Sequence, residues 1–174
     1  MPYRIDIKEL QSVYGTDNDG LKQKIVASCQ SVFESLDRDF ESEDGWANAK
    51  SIMLDILNGS LREIKGNSAK HWYILELLIQ ELGKLMNNGN WYPANIDPMY
   101  GYAEFRMFYL DDPSRINLDS PDDFPVVFTI QQKNFKSALK NIKESYADHA
   151  QVSEFESWIN EARDNKQDII LYYY

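Results

Sequence analysis

Asp168-Ile169-Ile170-Leu171-Tyr172-Tyr173-Tyr174 is the stretch on which the fold turns. Its β-branched and aromatic residues predict a strand running to the C-terminus. A strand of that composition needs partners far back in the chain, so this end is expected inside the core sheet and not as a frayed tail.

Two other segments supply those partners. Residues 3 to 7 alternate Tyr3, Ile5 and Ile7 with Arg4 and Asp6, the period of a half-buried strand. Pro125-Val126-Val127-Phe128-Thr129-Ile130 reads as a buried strand. The first and last strands are expected to be neighbours.

The rest of the chain reads mostly as helix. Leu10 and Val13 mark a short helix stopped by Gly15 and the polar run Thr16-Asp17-Asn18-Asp19-Gly20. Leu21, Ile25, Cys29, Val32, Leu36 and Phe40 recur at spacings of three and four, giving one apolar stripe. Cys29 lies within the stripe, which predicts a buried, inert thiol and not a nucleophile. A third helix carries Trp46, Ile52, Met53, Ile56 and Leu57 and stops at Asn58-Gly59.

From Ser68 to Met86 apolar residues cover most of a helix circumference, leaving a polar arc at Glu76, Gln80 and Lys84. This is the expected central helix. His71 sits on its apolar side, where a hydrogen-bonded core histidine is the simpler reading than a base. Asn87-Asn88-Gly89-Asn90 then ends the helix. Phe135, Ala138, Leu139, Ile142 and Tyr146 share a face of a further helix. Ser153 and Glu156 have capping-box spacing ahead of a helix with Phe155, Ile159 and Ala162 inward, broken at Asn165. The sum is a helix-rich α+β single domain over residues 1–174, with a small sheet from the N-terminal strand, the strand near 126–130 and the strand at 168–174.

Composition narrows the partners. The 174 residues carry a formal net charge of −10. That argues against a general nucleic-acid or anionic-membrane binder and is compatible with a basic protein partner, while acidity that serves solubility alone is the simpler reading. One cysteine precludes an intramolecular disulfide and suits a reducing cytoplasm. The start, Met1-Pro2-Tyr3-Arg4-Ile5-Asp6, lacks the basic-then-apolar order of a signal peptide, and no apolar run approaches the ~18 residues of a membrane span.

No reaction is signalled. His71 and His149 are far apart and lack HExxH spacing, so no metal or cofactor is expected. Nucleophile-elbow, phosphate-loop and dinucleotide signatures are absent. Acidic residues gather at Glu34, Asp37, Asp39, Glu41, Glu43 and Asp44, and again at Asp111, Asp112, Asp119, Asp122 and Asp123. Neither cluster fits a calcium loop. The first can serve as a docking surface for a basic partner or stand as a solvated helix end. Aromatic residues crowd the irregular, proline-punctuated span 91–124, where Trp91, Tyr92, Tyr102, Glu104 and Arg106 could shape a small-molecule pocket, a protein-binding anchor or a satellite core.

Tyr3, Ile5, Leu10 and Gly15-Thr16-x-x-Asp19, then Leu75-Glu76-Leu77-Leu78 and Trp91-x-Pro93, and finally Trp158 with Asp168-Ile169-x-x-Tyr172-Tyr173 carry a resemblance. Together they resemble a family of small bacterial cytoplasmic proteins without an assigned function. The resemblance implies an α+β fold and bacterial origin, and no mechanism.

Two functional expectations follow. The first is a non-enzymatic protein-binding module of the immunity-protein type, neutralising a toxin by docking Glu34, Asp37, Glu41, Glu43 and Asp44 together with the aromatic segment. Charge reversal at Glu41, Glu43 and Asp44 would then weaken capture of a basic partner. The second is a small-molecule-binding protein or enzyme with its pocket at 91–109, which requires a concave site and a carboxylate of perturbed pKa.

Overall fold

The computed structural model describes residues 1–40, 47–61, 68–91, 97–108, 116, 118 and 125–174. Seven helices and one antiparallel five-stranded sheet are formed by these residues, a helix-rich α+β domain. No helix among them is long and apolar enough to cross a membrane.

The sheet is built around the C-terminal strand. β1 (Pro2–Ile5) and β4 (Val126–Ile130) flank β5 (Asp168–Tyr173) on either side, and all pairings are antiparallel. Tyr3 stands opposite Ile170, which in turn faces Thr129 across the other ladder. The first and last strands are thus neighbours, as their patterns predict. Two-residue strands complete the edges in the order β2-β1-β5-β4-β3, with β2 at Lys84–Leu85 and β3 at Arg106–Met107.

Alternation along the strands sends side chains to two cores. Tyr3, Ile5, Val127, Ile170 and Tyr172 pack with α1 (Ile7–Val13), α2 (Asp19–Asp39), α3 (Ala49–Asn58) and α4 (Ser68–Leu82). Phe128, Ile130, Ile169 and Leu171 face the other way, onto α6 (Phe135–Ser145) and α7 (His149–Asp164). A one-turn helix, α5 (Asp97–Tyr100), adds Met99 to that second core. The molecule is therefore three layers, helices on each face of one sheet.

Four local expectations are corrected. Ile7 opens α1 instead of ending β1, because Asp6 caps the helix by accepting from the Lys8 amide at 2.8 Å. On α2, Phe33 is buried and Val32 exposed, so the inward stripe turns by one residue midway. The long central helix stops at Leu82, not Met86. Gly83 lies where a Cβ would come within 2.6 Å of the Arg4 carbonyl, so only glycine lets the chain leave the helix and pair with β1. Finally, α7 starts at His149 with Asp148 as its cap, and Ser153 sits exposed within the helix. The capping-box spacing at Ser153 and Glu156 is coincidental; an aspartate followed by helix-compatible residues supplied an earlier start.

Other stops hold. Gly59, at φ +65°, ends α3 and packs backbone to backbone against Gly15, at φ +66°. Asn165 caps the C-terminus of α7. Trp46 lies outside the described residues.

Candidate functional site

A cavity of about 610 Å³ lies at the end of the sheet where β1 begins and β5 finishes. Its wall combines Leu171 to Tyr173 of β5 and the following Tyr174, Met1 and Pro2, Phe128 of β4, Trp158 of α7, and Met99 of α5. The run from Leu85 to Gly89, with Trp91, forms the lip. Rings and thioethers dominate the wall, and no lysine, arginine, histidine, aspartate or glutamate lines it among the described residues. Trp91 and Trp158 sit 5.4 Å apart, centroid to centroid.

The mouth is unusual. Of the five exposed large hydrophobic residues among those described, Met1, Leu85 and Tyr174 line this cavity, and Tyr100 packs edge-on against Phe128 in its wall. Val32, on α2, is the fifth. Exposed apolar surface is thus gathered at one opening, which marks an interaction site more than scattered exposure does.

Two buried carboxylates hold this end together. Glu154, 6% exposed on α7, accepts from the Gly89 amide at 3.0 Å and the Asn90 amide at 2.8 Å, and from the Asn87 side-chain amide. Beside it the Trp158 indole donates to the Asn87 carbonyl at 2.5 Å, and the Trp91 indole donates to the Gln151 carbonyl at 2.9 Å. From Asn87 to Trp91 the lip is therefore fastened to α7, while Leu85 and Met86 are held by β1. Glu76, 7% exposed on α4, accepts from the Tyr3 hydroxyl at 2.7 Å and from the Tyr174 hydroxyl. Tyr174 also stacks on Tyr73, with centroids 5.5 Å apart and planes 8° from parallel.

Burial raises the Glu76 carboxyl above its ordinary range, against the opposing pull of the Tyr3 hydrogen bond and the Met1 ammonium. Burial likewise lowers that ammonium, while Glu76 pulls it up. The ammonium donates to the Tyr172 carbonyl. Tyr3 and Tyr172 are both pushed upward by burial. Elsewhere, burial raises the Cys29 thiol, which sits in the first core as its helical stripe predicts. No group of three or more histidine, cysteine or carboxylate side chains is placed to hold a metal among the described residues.

The candidate residues of the sequence are dispersed by this geometry. Trp91 lines the cavity. Tyr102 is bonded to Ser145 on α6 at 2.6 Å between oxygens, and Glu104 accepts from the Asn141 side chain of the same helix at 2.9 Å. Arg106 is exposed on β3, and its carbonyl accepts from Thr129 at 3.3 Å. Tyr102, Glu104 and Arg106 do not line the cavity. In the acidic group, Asp37 accepts from the Ala49 amide at 2.7 Å and pairs with the Lys70 ammonium at 2.7 Å, which joins α2 to α3 and α4. Glu34 and Asp39 are exposed. Tyr92, Glu41, Glu43, Asp44 and the cluster Asp111, Asp112, Asp119, Asp122 and Asp123 lie outside the described residues.

Sequence reasoning passed over the cavity's principal parts. Asn87 to Asn90 read as a helix stop, whereas the helix ends at Leu82 and these residues follow β2, and Glu154 belongs to no motif of the sequence. The signal was available in the spacing of Glu154 and Trp158, which are one turn apart on the buried face of α7 and both reach the same loop. No curated protein and no solved structure matches this chain. A family model described as a domain of unknown function, DUF7691, matches residues 1–174, and the chain belongs to that family.

Proposed function

We propose that this chain is a binding protein and not a catalyst, and that the cavity takes an uncharged, largely apolar small molecule. The observation that carries this reading is a space of about 610 Å³ bounded by rings and thioethers with no charged side chain on its described wall. Pockets of that size and character bury most of a small ligand. A catalyst of acid–base or nucleophilic type needs a titratable group within hydrogen-bond reach of the reacting atom. Here the titratable side chains of the wall are tyrosines, of which Tyr172 donates to the Trp72 carbonyl at 3.3 Å and Tyr174 to Glu76.

The uncharged dye Nile red tests the reading. Its fluorescence should rise on binding to the full chain and fall back for Leu85→Glu, which sets a charge at the exposed mouth without touching the core. Absence of binding to the wild-type chain would overturn the assignment.

A second reading, a basic protein partner such as a toxin held by an immunity protein, is favoured by the exposed collar of Met1, Leu85, Tyr100 and Tyr174. The acidic end of α2 is linked to that collar through Phe40, whose ring lies 5.7 Å from Tyr73, itself stacked on Tyr174. Capture from the native host of a stoichiometric basic protein, released by salt and lost in Leu85→Glu, would support it. The cytoplasm is the compartment this proposal assumes.

A further inference from the structure

Resting on the cavity as a small-molecule site, we propose that Asn88 determines its specificity, and that the occupant carries one neutral, amide-like group on an apolar body. The argument is an accounting of polar groups. Inside a largely apolar wall, discrimination falls to whichever donors and acceptors the protein has not already used.

Most are used. The Asn87 side-chain nitrogen and the Gly89 and Asn90 amides all point into the Glu154 carboxylate. The Asn87 carbonyl accepts from Trp158, and the Met86 amide donates to the Pro2 carbonyl at 2.9 Å. Trp91, Tyr172 and Tyr174 donate to Gln151, Trp72 and Glu76, and Tyr173 is engaged within the protein.

Asn88 differs. Its side-chain nitrogen approaches the Met1 sulfur at 4.0 Å, and a thioether is a weak acceptor. A donor and an acceptor on one planar group therefore remain for an occupant, at the lip of an otherwise apolar space. A carboxamide so placed is matched by another neutral group with one donor and one acceptor, such as a primary amide or a lactam. An anion is disfavoured, because Glu154 already fills the amide cradle that would have received it and the Met1 ammonium is engaged by the Tyr172 carbonyl and the Glu76 charge. A cation is not served either, since no carboxylate side chain lines the described wall and the Met1 ammonium belongs to a residue of that wall.

The test compares three naphthalenes of similar size as displacers of Nile red: 2-naphthamide, 2-ethylnaphthalene and 2-naphthoate. The wild-type chain should bind the amide about tenfold more tightly than the hydrocarbon or the anion, the range expected of one satisfied hydrogen-bonding pair. In Asn88→Leu that preference should vanish while the hydrocarbon binds as before. Asn88 has no left-handed backbone, so leucine meets no conformational penalty there. Asn88→Asp, which keeps the shape and loses the donor, provides the second variant and should also lose the amide preference. Equal binding of amide and hydrocarbon by the wild type, or a preference that survives both substitutions, would overturn the role of Asn88 and leave the cavity assignment standing. Failure of Nile red itself to bind would remove both.

Discussion

Glu76 and Glu154 are both buried carboxylates beside one cavity, yet they are stabilised in opposite ways. Glu154 is surrounded by amide donors from a single loop, two of them backbone N–H groups. Glu76 meets two tyrosine hydroxyls that arrive from the two ends of the chain, and burial raises its pKa despite them. Amides are fixed donors in a rigid backbone, so they solvate a carboxylate much as water would. Two hydroxyls, one on the buried Tyr3 and one on the half-exposed Tyr174, do so incompletely. The first arrangement builds a wall, and the second holds a movable ring against it.

The largest effect should come from breaking the amide cage. Glu154→Ala takes the buried acceptor from three donors at once, each of which costs free energy when left without a partner. We expect a loss of about 3 kcal/mol in urea-induced unfolding. Tryptophan emission should shift as well, because Trp91 and Trp158 are bonded to the same framework. A loss under about 1 kcal/mol would mean that water replaces the carboxylate and that the lip holds without it.

How much of this contrast can be read from sequence depends on what fixes each part. The strands are legible because β-branched and aromatic alternation is a local property, and β4 and β5 occupy the span that their patterns predict. The two-residue edge strands are not legible. β2 exists because Gly83 releases the chain against Arg4, a contact between segments some eighty positions apart. Helix starts suffer similarly, since Asp148 and Ser153 are both chemically competent caps and burial of Glu154 and Phe155 decides between them. The site is the least legible part. Among the residues singled out in the aromatic segment, Trp91 reaches the cavity, whereas Tyr102 and Glu104 are bonded to α6. Aromatic composition signals a site or a core equally, and which one results is settled by strand order.

Glu76 provides an intermediate effect whose sign depends on pH. Its folded-state pKa is raised by burial, so the folded protein holds this proton more tightly than the unfolded chain does. The stability it contributes is full below the ordinary glutamate value of 4.5 and is lost as pH rises through the higher folded value. Glu161 runs the other way. Arg4, at 2.9 Å, holds it below its ordinary value, so its contribution is present above 4.5 and lost as pH falls through the folded value. Glu76→Gln should therefore gain on the wild type by denaturant titration as pH climbs from 4.5 through the folded value, with the acid limb of Glu161 unchanged. A variant that parallels the wild type at every pH would show that the two hydroxyls solvate Glu76 fully, and the contrast drawn from its donors would collapse.

The smallest effect separates holding a ring from holding a fold. Tyr174→Phe removes one hydroxyl from Glu76 and keeps the ring stacked on Tyr73. Tyr174 is 42% exposed, so water can take the place of the lost donor, and the cost to unfolding should stay near 0.5 kcal/mol. Its consequence for the cavity should be larger in proportion. Stacking alone leaves the ring free to slide or swing away from the mouth, whereas the hydroxyl fixes its position along the stack. Nile red should therefore leave the variant a few-fold faster than the wild type while entering at a similar rate, because the lip fastened by Glu154 still shapes the opening. If release is unchanged, Tyr174 is a passive part of the wall and Glu76 serves the core alone. If both rates change together, the ring shapes the entrance itself, and the division of labour between the two carboxylates would have to be redrawn with Glu76 on the side of the wall.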